Sequence, residues 1–188
     1  MKKFCLFLLV FVSWFCSACT TPVDNTTMSI QPSNFSKETQ EVLEIFDDEV
    51  VFFDCNLDES VASYAVDLWA YQDGKWILKG NTSGGIERLN NRLALRLMDN
   101  GYDLYIIDES GYSKYSADDI GTDFSVSTSV LSKKITNPVP IECNKEIPLW
   151  VKIGTDKHGI SLGEAYDFRN ADCNSGVAIT VTFSDKQV

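Results

Sequence analysis

Apolar and polar residues alternate with a period of two through most of this chain, broken by dipeptides that reverse an extended backbone. Such alternation sends neighbouring side chains to opposite faces of a strand and does not build the stripe of a helix. Around Asn100-Gly101, a pair suited to the tight turns that need left-handed φ, a two-residue loop pairs Leu97 with Leu104 and Leu95 with Ile106. Leu93, Leu95, Leu97, Leu104 and Ile106 then share one face, and Arg92, Arg96, Asp103 and Tyr105 the other, which predicts a dry side and a wet side. The same loop logic at Asp73-Gly74 pairs Tyr71 with Trp76 and Trp69 with Leu78.

Alternation recurs over 124–130, 147–153 and 177–183, and strands are also expected over 50–54, 61–72, 75–80, 91–99 and 102–108. About eight short strands separated by Gly, Asn, Asp and Ser clusters predict an all-β fold, an antiparallel β-sandwich, with a small β-barrel as the alternative. Ser83-Gly84-Gly85 reads as an ordinary turn. One short helix precedes the strands: Ser36 is the expected N-cap, Glu38 and Glu41 sit in the first turns, and Val42, Leu43, Ile45 and Phe46 gather to one side. With 188 residues, 44% of them hydrophobic, the chain has material for one packed core and too little for a second. The body is therefore expected to be a single domain over 36–188.

The N-terminus carries an address. Lys2 and Lys3 precede an apolar run from Phe4 to Phe15 and the small residues Ser17 and Ala18, the three-part layout of a secretory signal over 1–18. The run is shorter than the ~20 apolar residues that cross a bilayer. Cys16, Ser17, Ala18 and Cys19 together resemble the lipobox of bacterial lipoproteins, usually Leu, then Ala or Ser, then Gly or Ala, then Cys; here Cys16 stands in the Leu position. The resemblance implies cleavage after Ala18, a diacylglycerol on Cys19, and a protein held on the outward, extracytoplasmic side of a cell membrane. Ordinary cleavage after Ala18 would instead release a soluble body. Residues 19–35, rich in Thr, Ser, Asn and Pro, read as a tether between anchor and body.

Charge and composition narrow the function. A net charge of -11 argues against a nucleic-acid partner, which clustered Lys and Arg would attract. The single histidine, His158, thins the choice of triad and zinc chemistries, and no phosphate loop, dinucleotide fingerprint or Cys-x-x-Cys pair is present, so no cofactor is expected. Cys55, Cys143 and Cys173 remain after processing; they allow one disulfide in three pairings, and a body of this size does not need one.

The candidate ligand contacts are aromatic. If the aliphatic face of the 61–80 hairpin is core, Trp69, Tyr71 and Trp76 form an outward platform; if the aromatic face is core, nothing remains to explain. Trp150 alternates out of phase with Ile147, Leu149, Val151 and Ile153, so it falls on the polar face and is the strongest single candidate. Asp118, Asp119 and Asp123, and the run Asn170, Asp172, Asn174, invite calcium, with solvated loop charge as the plainer reading. Taken together, the expectation is a lipid-anchored, non-catalytic protein with a binding or envelope-structural role. Its ligand would be a glycan or an envelope protein; the alternatives are a glycan-binding accessory module and an extracytoplasmic glycan hydrolase with two opposed carboxylates.

Overall fold

A computed structural model describes residues 27–45, 49–86, 90–98, 101–163 and 165–188. Its described residues form eleven strands, a short α-helix and a 3-10 helix. In chain order the elements are β1 (Ser29–Pro32), α1 (Lys37–Leu43), β2 (Glu49–Asn56), β3 (Ser63–Gln72), β4 (Lys75–Gly85), β5 (Asn90–Leu97) and β6 (Tyr102–Asp108). They continue with β7 (Gly111–Ala117), β8 (Ser129–Lys134), β9 (Val139–Pro140), β10 (Glu146–Thr155), the 3-10 helix Ala165–Asn170 and β11 (Ser175–Ser184).

The strands make two antiparallel sheets, the first in the order β7-β6-β5-β2-β1-β9 and the second in the order β4-β3-β11-β10-β8. The sheets stack face to face as a sandwich, with no closed barrel. Phe53, Leu95 and Leu104 from the first sheet meet Leu149, Ile179 and Phe183 from the second in one buried cluster. This is the dry face that alternation forecast for Leu93, Leu95 and Leu97, all of them buried.

Turn chemistry accounts for the sharpest reversals. Asp73 and Gly74 adopt φ of 51 and 80 degrees, and the hairpin they close pairs Tyr71 with Trp76 and Trp69 with Leu78, as the dipeptide predicts. The next hairpin departs from expectation by two residues: Leu97 faces Tyr102, Leu95 faces Leu104 and Leu93 faces Ile106. The Met98 amide donates to the Gly101 carbonyl at 3.0 Å, so the closing pair falls one residue earlier than an Asn100-Gly101 loop places it; Asp99 and Asn100 lie outside the described residues. A slip of two keeps every side chain on its face.

Three other expectations change. The span 124–130 is mostly loop, because the Asp123 carboxylate takes the Ser125 amide and the Ser127 amide bonds Phe124; the strand begins at Ser129. The Ser83-Gly84-Gly85 run is the end of β4. The expected tether over 19–35 is shorter, since Ser29–Pro32 pairs with β2 on one side and β9 on the other, with Ile30 fully buried. The body thus begins by Ser29 rather than at residue 36. The proposed signal, Cys19 and the start of the linker lie outside the described residues, among which no helix is long and apolar enough to cross a membrane.

Ser36 caps α1 as expected, its hydroxyl accepting from the Thr39 amide. The helix buries no residue, and Val42 and Ile45 stay exposed at its end.

Candidate binding surface

The structure gathers Trp69, Tyr71 and Trp76 on the outer face of the second sheet, as the hairpin register requires, but covers them. The chain between β10 and β11 folds back over that face and sets the 3-10 helix on it. Phe168 is fully buried there with Val151, Ile153 and Ala178, and the three aromatics pack half-buried around this second cluster. The Trp76 ring meets Phe168 edge-on at 4.7 Å and Tyr71 at 5.5 Å. It lies over Gly176, where a Cβ would come within 2.6 Å of the indole, so glycine is what lets the ring lie against the sheet.

Arg169 fastens the cover: it stacks on Trp69 and pairs with Glu146, while Trp69 Nε1 donates to the Thr180 hydroxyl, which donates to Glu146. Both apolar faces of the 61–80 hairpin are therefore used, the aliphatic one between the sheets and the aromatic one beneath the cover. Tyr71 also reaches a shallow cleft of about 330 Å3 with Asp123, Ser127 and Asn174.

Trp150 is not on the surface: it is 4% exposed and belongs to the inter-sheet core. The reason is a bulge between Pro148 and Trp150 in the pairing of β10 with β11. One extra residue on a strand inverts the facing of the residues beyond it. Ile147, Leu149 and Trp150 consequently enter the inter-sheet core, while Val151 and Ile153 turn outward to the second cluster.

Of the acidic candidates, Asp119, Asp123, Asp172 and Asn174 are engaged by local structure. Asp119 accepts the Gly121 amide, Asp172 pairs with Lys157, and Asn174 accepts from the Thr155 hydroxyl and the Asp156 amide. Among the described residues no three His, Cys, Asp or Glu side chains stand close enough together to hold a metal. His158 is exposed in its turn. Cys55, Cys143 and Cys173 are free thiols; burial pushes Cys55 up to about 12 and Cys173 up to about 11, which keeps both protonated and unreactive at neutral pH.

The surface that stays open is the outer face of the first sheet. Val50 and Phe52 from β2, Ala94 from β5, and Tyr105 and Ile107 from β6 line a groove of about 350 Å3, closed at one side by Leu43 of α1 and at the other by Tyr112 of β7. Phe35 packs edge-on against Phe52 at 5.0 Å, and Arg92 sits over the Phe35 ring while bonding Asp54. Beside the groove Asp103 is only 3% exposed. Burial pushes its carboxyl up, but hydrogen bonds from Ser116 and Lys114 and the Lys114 charge outweigh that and hold it below the ordinary carboxylate range.

The most exposed aromatic of this region is Tyr112, at 70%, with Tyr115 at 39% two places beyond its neighbour Ser113. Both ride on β7, the edge strand of the first sheet. Alternation missed β7 because Tyr-Ser-Lys-Tyr-Ser mixes polar residues on both faces. The groove did leave a trace: Val50-Val51-Phe52-Phe53 is apolar at four successive positions, so β2 presents apolar groups on both faces, only one of which the inter-sheet core consumes. Comparison with protein-family models, curated proteins and solved structures finds no match to this chain.

Proposed function

We propose that this protein is an extracytoplasmic, lipid-anchored, non-catalytic binding lipoprotein, held on the membrane through a lipid on Cys19 and engaging an envelope ligand through the β6–β7 edge of its sandwich. The observation that carries the reading is the position of Tyr112: largely exposed, it forms the wall between the apolar groove and a polar cleft on the other side of β7. An exposed aromatic ring offers large contact area with few rotamers to immobilise. The lipobox-like residues Cys16 to Cys19 support the anchor.

Binding rather than hydrolysis is favoured by the carboxyl groups. Among the described residues, those displaced from their ordinary values, Glu38, Asp58, Asp103 and Asp123, are all held down, Asp58 and Asp123 by hydrogen bonds from Ser60 and Ser125. A glycosidic acid needs its carboxyl raised.

The test has two arms in bacterial cells expressing the full chain. Cys19→Ser should move the protein out of the membrane fraction or leave a precursor; normal cleavage with full membrane retention sinks the anchor. A photo-crosslinking phenylalanine derivative at position 112 should give a discrete adduct that the same group at exposed Val126 does not. Indistinguishable behaviour of the two positions sinks the binding edge.

A further inference from the structure

On the inward side of β7 the two sheets part, leaving a cleft of about 420 Å3 at the edge of the sandwich. It is lined by Tyr64 and Tyr115 with Asn91, Asp108 and Ser113, and by β7 at Tyr112, whose ring turns to the opposite face beside Tyr105. The volume lies within the ~300–1,000 Å3 of small-ligand sites. The floor is kept open by Gly84 of β4, where a Cβ would come within 2.8 Å of the Tyr64 hydroxyl. The cleft is flanked by β7 and β4, the edge strands of their respective sheets. An edge strand carries backbone N–H and C=O groups outside any ladder, which are donors and acceptors at fixed spacing.

The lining selects among ligand classes. No Lys or Arg is among the described residues that line it, so these offer an anion no countercharge. The one carboxylate among its described lining residues, Asp108, already accepts from the Ser110 amide and hydroxyl, which is too little oxygen for a hard cation. Among the described residues that line it, Ile106 is the only aliphatic side chain, unlike the apolar groove on the far side of Tyr112. Aromatic faces set among hydroxyl, amide and backbone groups match a molecule with C–H faces and a rim of hydroxyls.

We infer that this tyrosine-lined cleft is a binding site for neutral carbohydrate, with Tyr115 stacking on a sugar ring and the polar groups around it bonding the hydroxyls. It rests on the reading of the β6–β7 edge as a binding element and names its ligand class.

The experiment is saturation-transfer NMR on the detergent-solubilised full chain with maltotriose, cellotriose, mannotriose, galactotriose, xylotriose and chitotriose. At least one sugar should receive saturation on its ring protons. Tyr115→Ala should weaken its binding about threefold to tenfold; Tyr115→Phe, which keeps the ring, should largely restore it, and Val126→Ala should leave it unchanged. Unaltered melting temperatures would exclude unfolding as the cause. Absence of transfer to any of these sugars, or transfer undiminished in Tyr115→Ala, overturns the inference. If no sugar binds but position 112 still crosslinks in cells, the carbohydrate is wrong and the binding edge stands; if both fail, both fall.

Discussion

The two outer faces of the sandwich both carry aromatic side chains, and their fates differ. On the second sheet Trp69, Tyr71 and Trp76 disappear beneath the segment from Asp156 to Asn174, which brings Phe168, Leu162 and Ala165 down onto them. On the first sheet Phe52, Tyr105 and Tyr112 face a groove that, among its described lining residues, takes only Leu43 from outside the sheet, with Phe35 packed against Phe52. Connection length explains the contrast. The β10–β11 crossing is long enough to return across its sheet, whereas β5, β6 and β7 are joined by tight reversals with no chain to spare. A row of large aromatics on a strand says that a surface wants cover; the length of the adjoining loops decides whether the cover comes from the same chain.

That contrast can be broken by mutation, beginning on the covered side. Phe168→Ala should destabilise by about 3–5 kcal/mol, because it empties the centre of the second cluster. Thermal or denaturant unfolding would read it, and a change near zero would mean that the cover rests on the sheet without contributing to its stability.

Beside the open face, Asp103 makes a smaller and pH-dependent contribution. Its folded value is lowered, so its stabilisation is present above the ordinary carboxylate value of ~3.9 and fades as pH falls through the lower folded value. Asp103→Asn should cost about 1–3 kcal/mol at neutral pH and flatten the acid limb of the stability curve. A variant with an unchanged acid limb would show that Lys114 and Ser116 do not hold that carboxylate. The smallest effect belongs to Tyr112→Ala, expected within about 0.5 kcal/mol of the parent. A larger loss would mean that its ring supports the fold and is not held out for a partner.

What the sequence disclosed depended on whether a signal was local. The Ser36 cap and the Asp73-Gly74 turn are decided by a few adjacent residues, and both formed as expected. The faces of β5 and β6 also survived, because their error in register was an even number of residues. Trp150 fell on the wrong face for want of one residue in the count, yet Pro148 was the warning: proline within a central strand belongs at a bulge, and a bulge reverses the phase beyond it. The cover over Trp69, Tyr71 and Trp76 was invisible because nothing in a loop sequence says onto which face it folds. The tyrosine edge was missed for a different reason, since Tyr112 and Tyr115 break no pattern that alternation recognises.

The insertion of β1 between β2 and β9 bears on mechanics. The chain enters the first sheet at Ser29 and is bonded to neighbours on both sides from its first residues. A lengthwise pull on the residues ahead of Ser29 therefore shears these bonds together instead of peeling them one after another. Were the proposed anchor on Cys19 in place, drag on the body would be taken up along an interior strand, and a four-residue element would serve as the fitting between protein and membrane.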